Sequence, residues 1–374
     1  MAESVSWLKA MDPRETKLNI LLFALPITLY FNYVDQNHSM AFFSSLIAIM
    51  PLAFLMGRAT EEIALRTTES LGGLLNATFG NAAELIIAVL LILEASRVAD
   101  PETQSFFIQL VQASLIGSIL GNLLLVMGLA FVWGGIHHPE QKYSETQVSS
   151  NGSLLLLSMI VLVIPTVFHS SVGGEGGDSR LLDLSHIAAA ILLLVYGLFL
   201  LFQFRTHVHL FATDGSHHEE PEMTQRDSII LLVVATVLVS WMAEILVHSV
   251  EYAAEDFGLP HLFIGVILLP LFGNAAEHFT AVTVAGKDKM DLSFAISMGS
   301  STQIAVFIAP LMVIIAWAFG VPLTFEFGTL ETVSAFLAVL IVNSIAADGK
   351  SNWLEGAMLL SSYGVLAAAF LFHP

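Results

Sequence analysis

The chain has 374 residues, 56% hydrophobic and only 12% charged, with a mean hydropathy of +0.78. That composition excludes an ordinary soluble domain, and the formal net charge of −19 argues against nucleic acid as a partner and for cations as the species handled. With no cysteine there is neither a disulfide framework nor a thiolate metal site.

Residues 1–17 are polar and mixed in charge and lack the apolar core and small-residue cleavage site of a signal peptide. The first apolar run is therefore expected as a retained helix. Apolar runs long enough to cross a bilayer predict eleven spanning helices, over 18–35, 40–60, 71–94, 104–133, 152–169, 183–204, 227–250, 258–285, 291–318, 330–346 and 353–372. One long polar gap, 205–226, interrupts them. With the N-terminus inside, the inner loops hold Lys9, Arg14, Lys17, Arg58, Arg66, Lys142, Arg205, Arg226, Lys287, Lys289 and Lys350, and the outer loops hold only Arg97 and Arg180. This positive-inside bias predicts a cytoplasmic N-terminus and an external C-terminus.

The fold class expected is an all-α polytopic membrane protein. Residues 1–38 form an N-terminal segment and first helix, 39–204 a first five-helix repeat, 205–226 a cytoplasmic acidic and histidine-rich linker, and 227–374 a second five-helix repeat. The hexapeptide Phe79-Gly80-Asn81-Ala82-Ala83-Glu84 returns as Phe272-Gly273-Asn274-Ala275-Ala276-Glu277, and Ala88-Val89 returns as Ala281-Val282. In the topology above, the two copies cross in opposite directions, the signature of an inverted repeat with one shared site near the midplane.

A carboxylate in hydrocarbon is costly and is kept where it lines a cavity or serves a function. Gly80 and Gly273, the second with Pro270 three residues before it, are expected to break their helices and turn backbone carbonyls toward a buried site. Asn81 and Glu84 share a helix face, as do Asn274 and Glu277. Ala82, Ala83, Ala275 and Ala276 are small enough for close helix crossing. Two carboxylates among amide and carbonyl oxygens make a hard-oxygen environment suited to Ca²⁺, whose charge balances both acids. Further along, Gln112 to Asn122 and Ser297 to Gln303 form a second matched pair, aligned at Gly117-Ser118 and Gly299-Ser300. Ser118, Ser300 and Gln303 are expected to add hydroxyl and amide oxygens; Ser301, Thr302 and Asn122 fit interhelical packing equally well.

With both motifs and the Gly299-Ser300-Ser301-Thr302-Gln303 run on the page, the chain resembles the Ca²⁺/H⁺ antiporters, the cation/proton exchangers of the cation/Ca²⁺ exchanger superfamily. The resemblance covers the whole chain and includes His278 after the second motif. It implies a secondary transporter and not an enzyme, with Ca²⁺ and H⁺ as transported ions, no cofactor, and membrane lipid as surroundings. It also implies that Glu84 and Glu277 bind Ca²⁺ and exchange it for protons. The long N-terminal extension of plant members is missing, so their autoinhibition is not expected. Sodium-type exchangers carry further ligands in the later motif helix, where this chain has Gln303 and no acid. A channel, a membrane enzyme and a Na⁺ exchanger are the competing classes; no His-Glu-x-x-His zinc motif supports the enzyme. The expected location is a prokaryotic plasma membrane, with a vacuolar-type membrane as the alternative. The oligomeric state, a homo-oligomer included, is open.

Other acids call for separate readings. Glu61 and Glu62 end the second helix. Glu244 lies inside the seventh, as a proton relay or gate or as a paired interior acid. Glu251, Glu255 and Asp256 are expected in an outer loop, and His278 as a packing or hydrogen-bonding residue. The linker gathers His207, His209, Asp214, His217, His218, Glu219, Glu220 and Glu222. Glu219, Glu220 and Glu222 are the candidates for a regulatory role in what otherwise reads as a solvated linker.

Overall fold

The computed structural model describes residues 5–67, 71–72, 75, 78–172, 177–208 and 221–373. Among them the chain is almost wholly helical. The long elements are α1 (Lys17–Asp35), α2 (His38–Ala64), α3 (Ala82–Arg97), α4 (Pro101–His137), α5 (Glu145–Val172), α6 (Ser179–Thr206) and α7 (Gln225–Phe257). They continue with α8 (His261–Gly273), α9 (Ala275–Ala285), α10 (Met290–Ala318), α11 (Thr329–Ile345) and α12 (Trp353–Leu371). Nine helices among the described residues are long and apolar enough to span a membrane, and the bent pair α8–α9 makes a tenth. The expected span 71–94 overlaps undescribed residues, and its described helix is α3. Large apolar side chains such as Phe23, Val167, Leu194, Val237 and Val365 are exposed on these helices, as a lipid solvent requires.

The chain divides into two compact units, each drawing on both halves of the sequence. The first comprises 1–90, 212–259 and 271–277. Its body is the pairing of α2 with α7. Phe42, Leu46, Ile49, Leu52 and Met56 of α2 and Leu231, Val239, Met242 and Leu246 of α7 are buried. Ala41, Ser45, Ala48, Ala235, Ala243 and Ser249 are buried too, and their small size permits close backbone approach. The pair is tied at one end by the Ser39 hydroxyl donating to Asp256 and by the edge-on rings of Phe43 and Phe257, 5.2 Å apart. The helix α7 runs on to Phe257, where Gly258 in the left-handed region caps it (φ 60°), so Glu251, Glu255 and Asp256 lie on its last turns and not in a loop.

The second unit comprises 91–211, 260–270 and 278–374. Asp100 starts α4 by accepting from the Thr103 backbone N–H at 2.9 Å; this bond, and then the Thr103 hydroxyl, hold its carboxyl below the usual carboxylate range. The second half of α4 packs on α12, α5 on α11, and α6 on the end of α10. A two-stranded antiparallel pair, β1 (Gln141–Lys142) with β2 (Lys350–Ser351), joins the loop after α4 to the loop after α11. Tyr143 beside it stacks on Phe294 at 4.6 Å and donates to the Lys350 carbonyl at 2.7 Å. Burial, with the charges of Glu355 and Asp348 adding to it, pushes its phenol pKa up. An extended strap, Val321 to Gly328, buries Leu323, Phe325 and Phe327 on alternate positions. Gln112 donates to its Thr324 and Glu326 carbonyls at 3.0 and 2.8 Å, and Ser185 and Thr166 accept from the Phe325 and Phe327 N–H groups.

The tightest crossing in this unit joins α4 to the start of α8. A Cβ on Gly117 would stand 2.2 Å from the Val266 carbonyl oxygen, and one on Gly265 would stand 2.4 Å from the Ala113 Cβ. At Gly299, the aligned position in the second half, a Cβ meets nothing within 4 Å among the described residues. Gly117→Ala is therefore expected to cost about 1–3 kcal/mol through forced backbone displacement, and Gly299→Ala to stay within about 0.5 kcal/mol. Thermal unfolding of the two variants in detergent checks this; equal melting temperatures would contradict the crossing.

Candidate functional site

Both motifs lie where a helix is interrupted. At the first, helix holds to Phe79, the chain turns at Gly80 and Asn81, and α3 begins at Ala82. At the second, α8 ends at Gly273, Asn274 is the turn, and α9 begins at Ala275 with its axis bent 59° from α8. Before the second break, Ile264 to Leu268 adopts the wider π geometry, a further loosening of the regular ladder. Each glutamate is the third residue of the helix after its break, in the first turn. The local cause is in the sequence: glycine tolerates the break, and Pro270 has no N–H to continue the ladder.

The two motifs meet within the first unit. A Cβ on Gly273 would stand 3.8 Å from Glu84 Cγ, so the side chain of the first motif's acid lies against the glycine of the second. Asn81 and Asn274 are buried, at 1% and 2% exposure. Glu84 Oε1 and Glu277 Oε2 are sealed from solvent. Asn274 Nδ2 is also buried and donates to no group among the described residues.

Ser118, Ser300 and Gln303 belong to the second unit. Ser118 and Ser300 are buried, and Gln303 is half-buried. Asn122, equally open to packing or site duty from sequence, donates from Nδ2 to Ser300 Oγ at 3.2 Å and thus links α4 to α10. Its Oδ1 is buried and accepts no hydrogen bond among the described residues. Ser301 and Thr302 spend their hydroxyls on backbone carbonyls one turn back, those of Ser297 and Met298, which fits packing. Past the aligned Ser118 and Ser300, both helices enter π geometry, over Gly121–Val126 and Ile304–Ile308. His278 is buried, with Nε2 accepting or donating nothing among the described residues.

Sequence reasoning missed how the linker ends. Glu62, 7% exposed at its side chain, accepts from the backbone N–H groups of Glu222 at 3.0 Å and Met223 at 3.1 Å and pairs with Arg66 at 3.2 Å. Arg66 also donates to the Met223 carbonyl, and Arg58 pairs with Glu222 at 3.0 Å. The signal was three charged residues, Arg58, Glu62 and Arg66, at four-residue spacing on one helix end. Glu222 is therefore anchored; Glu219 and Glu220, like His209, Asp214, His217 and His218, lie outside the described residues.

Among the described residues no three His, Asp or Glu side chains gather as a metal-ligating group, so two carboxylates with neutral oxygens are what these motifs offer a cation. The sequence matches the sodium/calcium exchanger protein family over residues 38–205 and 227–372. The chain belongs to that family. The exchanger is 43% identical to a Ca²⁺/H⁺ antiporter of Aphanothece halophytica over 369 residues, covering 95% of this chain and 96% of the relative. It is 38% identical to a vacuolar calcium ion transporter of Schizosaccharomyces pombe, over 100% of this chain and 90% of the relative. The structure of native YfkE superposes with a TM-score of 0.81 at 36% identity, covering 95% of this chain and 100% of that one. The exchanger thus sits among the Ca²⁺/H⁺ antiporters and is an integral membrane protein.

Glu62→Ala leaves two backbone N–H groups and the Arg66 guanidinium without their acceptor, and is expected to cost about 1–3 kcal/mol of stability. Glu219, Glu220 and Glu222 changed together to Gln remove one pair with a largely exposed partner and are expected to leave both melting temperature and exchange close to wild type. Parallel melting curves check the contrast; complete loss of exchange in a properly inserted triple variant would place the linker in the transport machinery.

Proposed function

We propose that this chain exchanges Ca²⁺ for H⁺ across a membrane by alternating access, with Glu84 and Glu277 taking either the metal or protons. The observation that carries this is the meeting of the two motifs: a helix break in each, a glutamate on the turn after each break, and Glu84 against Gly273. Two bare carboxylates in low dielectric repel and are poorly solvated, so each needs a proton or a cation. Ca²⁺ neutralises both; two protons do the same. Asn81, Asn274, Ser118, Ser300 and Gln303 are the neutral oxygen donors proposed to complete the Ca²⁺ shell, with Gly80 and Gly273 turning backbone carbonyls toward it. Competition for one pair of side chains then couples the two fluxes without a further device. The Ca²⁺/H⁺ antiporter relatives support this reading of the cargo.

The same proposal gives the chain eleven spans as one helix plus two inverted five-helix repeats, with the N-terminus cytoplasmic. Its location is a prokaryotic plasma membrane or a vacuolar-type one. The test is ⁴⁵Ca²⁺ uptake into proteoliposomes under an imposed pH gradient, with and without Na⁺, while an interior dye follows protons. Uptake is expected with the gradient alone and with protons moving oppositely, and Ca²⁺ affinity is expected to fall as pH drops. Glu84→Gln and Glu277→Gln, near-identical in shape but without the charge, are expected to reduce uptake to background in folded protein. Wild-type rates in either variant would remove that residue from the site, and uptake that needs Na⁺ without proton flux would replace H⁺ by Na⁺.

A further inference from the structure

The middle of α7 carries an acid that the competition between Ca²⁺ and protons at Glu84 and Glu277 leaves unused. Glu244 lies near the centre of the 33-residue helix Gln225–Phe257. Its neighbours Ala243 and Ile245 are buried toward α2, at 0% and 3% exposure, whereas Glu244 is exposed. Among the described residues its carboxylate makes no hydrogen bond and no ion pair, and its backbone carbonyl lies 3.1 Å from His248 Nδ1. An ionisable group at this depth with hydrocarbon around it is costly, and such groups face water or a partner.

The groups around Glu244 favour water. His248, Glu251 and Glu255 follow at intervals of four, three and four residues, all exposed, so they form one stripe on one face of α7. From Glu244 to Glu255 the rise is about 16 Å, roughly half the hydrocarbon core. At the same end of α7, on the neighbouring face that carries Tyr252 and Asp256, lies a polar cleft of about 470 Å³ lined also by Asp35, Asn37, His38 and Ser39. The His38 ring stacks on Tyr252 at 4.6 Å, and Ser39 holds Asp256. The elements packed on α7 bring little opposing charge. Between His38 and Arg58, α2 has no titratable side chain. From α1 come Lys17 at its first residue and Tyr30, Tyr33 and Asp35, with Tyr33 accepting from Trp241 Nε1 at 3.3 Å. The one-turn helix Trp7–Ala10, with Lys9, meets the opposite end of α7 through Asp227. Among the described residues no Lys, Arg or His pairs with Glu244.

We propose that the stripe is a water-lined furrow by which protons from the outer phase reach the middle of the unit carrying Glu84 and Glu277, with Glu244 as its innermost proton-relay residue. The inference rests on the exchange and orientation proposed above. In it, the Glu244 carboxylate takes a proton from hydronium in the furrow or from protonated His248, which become water and neutral imidazole, and it returns to carboxylate by passing that proton through water to the Glu84 or Glu277 carboxylate.

Two measurements test it. The chain has no cysteine, so Glu244→Cys, His248→Cys and Glu251→Cys each give a single thiol for a membrane-impermeant methanethiosulfonate. Labelling from outside is expected at all three positions and not at Val237→Cys, on the same face beyond the middle of the helix. Labelling at 251 without 244 overturns the furrow, and so does a 244 shielded from both sides by a second copy of the chain. In proteoliposomes, Glu244→Gln is expected to keep Ca²⁺/Ca²⁺ exchange, which moves no net proton, while slowing gradient-driven uptake by about tenfold or more; Glu244→Asp restores it. Unchanged rates in both modes, or equal loss of both in folded protein, overturn the relay. Absence of gradient-driven uptake in the wild type, with Ca²⁺/Ca²⁺ exchange intact, overturns the H⁺ coupling instead.

Discussion

Holding charge in hydrocarbon is the constraint on which this architecture turns. An uninterrupted helix satisfies its own backbone and offers nothing to an ion, so a cation site at membrane depth needs both a carboxylate and freed carbonyls. The repeated Gly-Asn-Ala-Ala-Glu segment supplies these together. Glycine ends one helix, asparagine fills the turn, two alanines permit close approach, and glutamate stands on the first turn of the next helix. One such segment would leave a single buried charge. Two of them meet here, Glu84 against Gly273, and on the exchange proposed above a divalent cation or two protons would neutralise the pair.

The same unit shows how two long helices pair through apolar and small side chains. The pairing of α2 with α7 relies on small and apolar side chains over its length and keeps its polar ties at the ends. At one end Glu62, Arg66 and Arg58 grip Glu222 and Met223; at the other Ser39 holds Asp256 and Phe43 meets Phe257. In α2 and α7 the Arg and Lys side chains stand only near the helix ends.

Much of this was legible in the sequence because the relevant physics is local. Span length is set by bilayer thickness, and a glycine-proline interruption shows in any hydropathy reading. The contact of Glu84 with Gly273 was legible only as a repetition: matching segments in oppositely directed helices imply proximity but give no distance. What escaped was tertiary. Glu251, Glu255 and Asp256 read as a loop because charges near a membrane surface look solvated, yet a helix continues into water until a residue such as Gly258 stops it. Glu222 read as linker because its anchors lie about 160 residues earlier. The strap 321–328 and the two-residue β pair are irregular segments whose hydrogen bonds come from Gln112, Ser185, Thr166 and Tyr143, and no local pattern announces such partners.

The second unit repeats the logic with neutral groups. Ser118 and Ser300 occupy aligned positions, and π geometry follows each, but the halves are not copies there: Asn122 faces Ser300 across the repeat, while its own aligned position holds Ile304. Gly117 is pressed against Val266, while Gly299 has open space beside it. An exact two-fold would offer a cation the same donors from both sides. The departure from it falls among hydroxyls and amides, while the carboxylates recur in the repeated motif. On the exchange proposed above, charge balance would rest on the symmetric part of the sequence, and selectivity would be free to diverge in the part that is not.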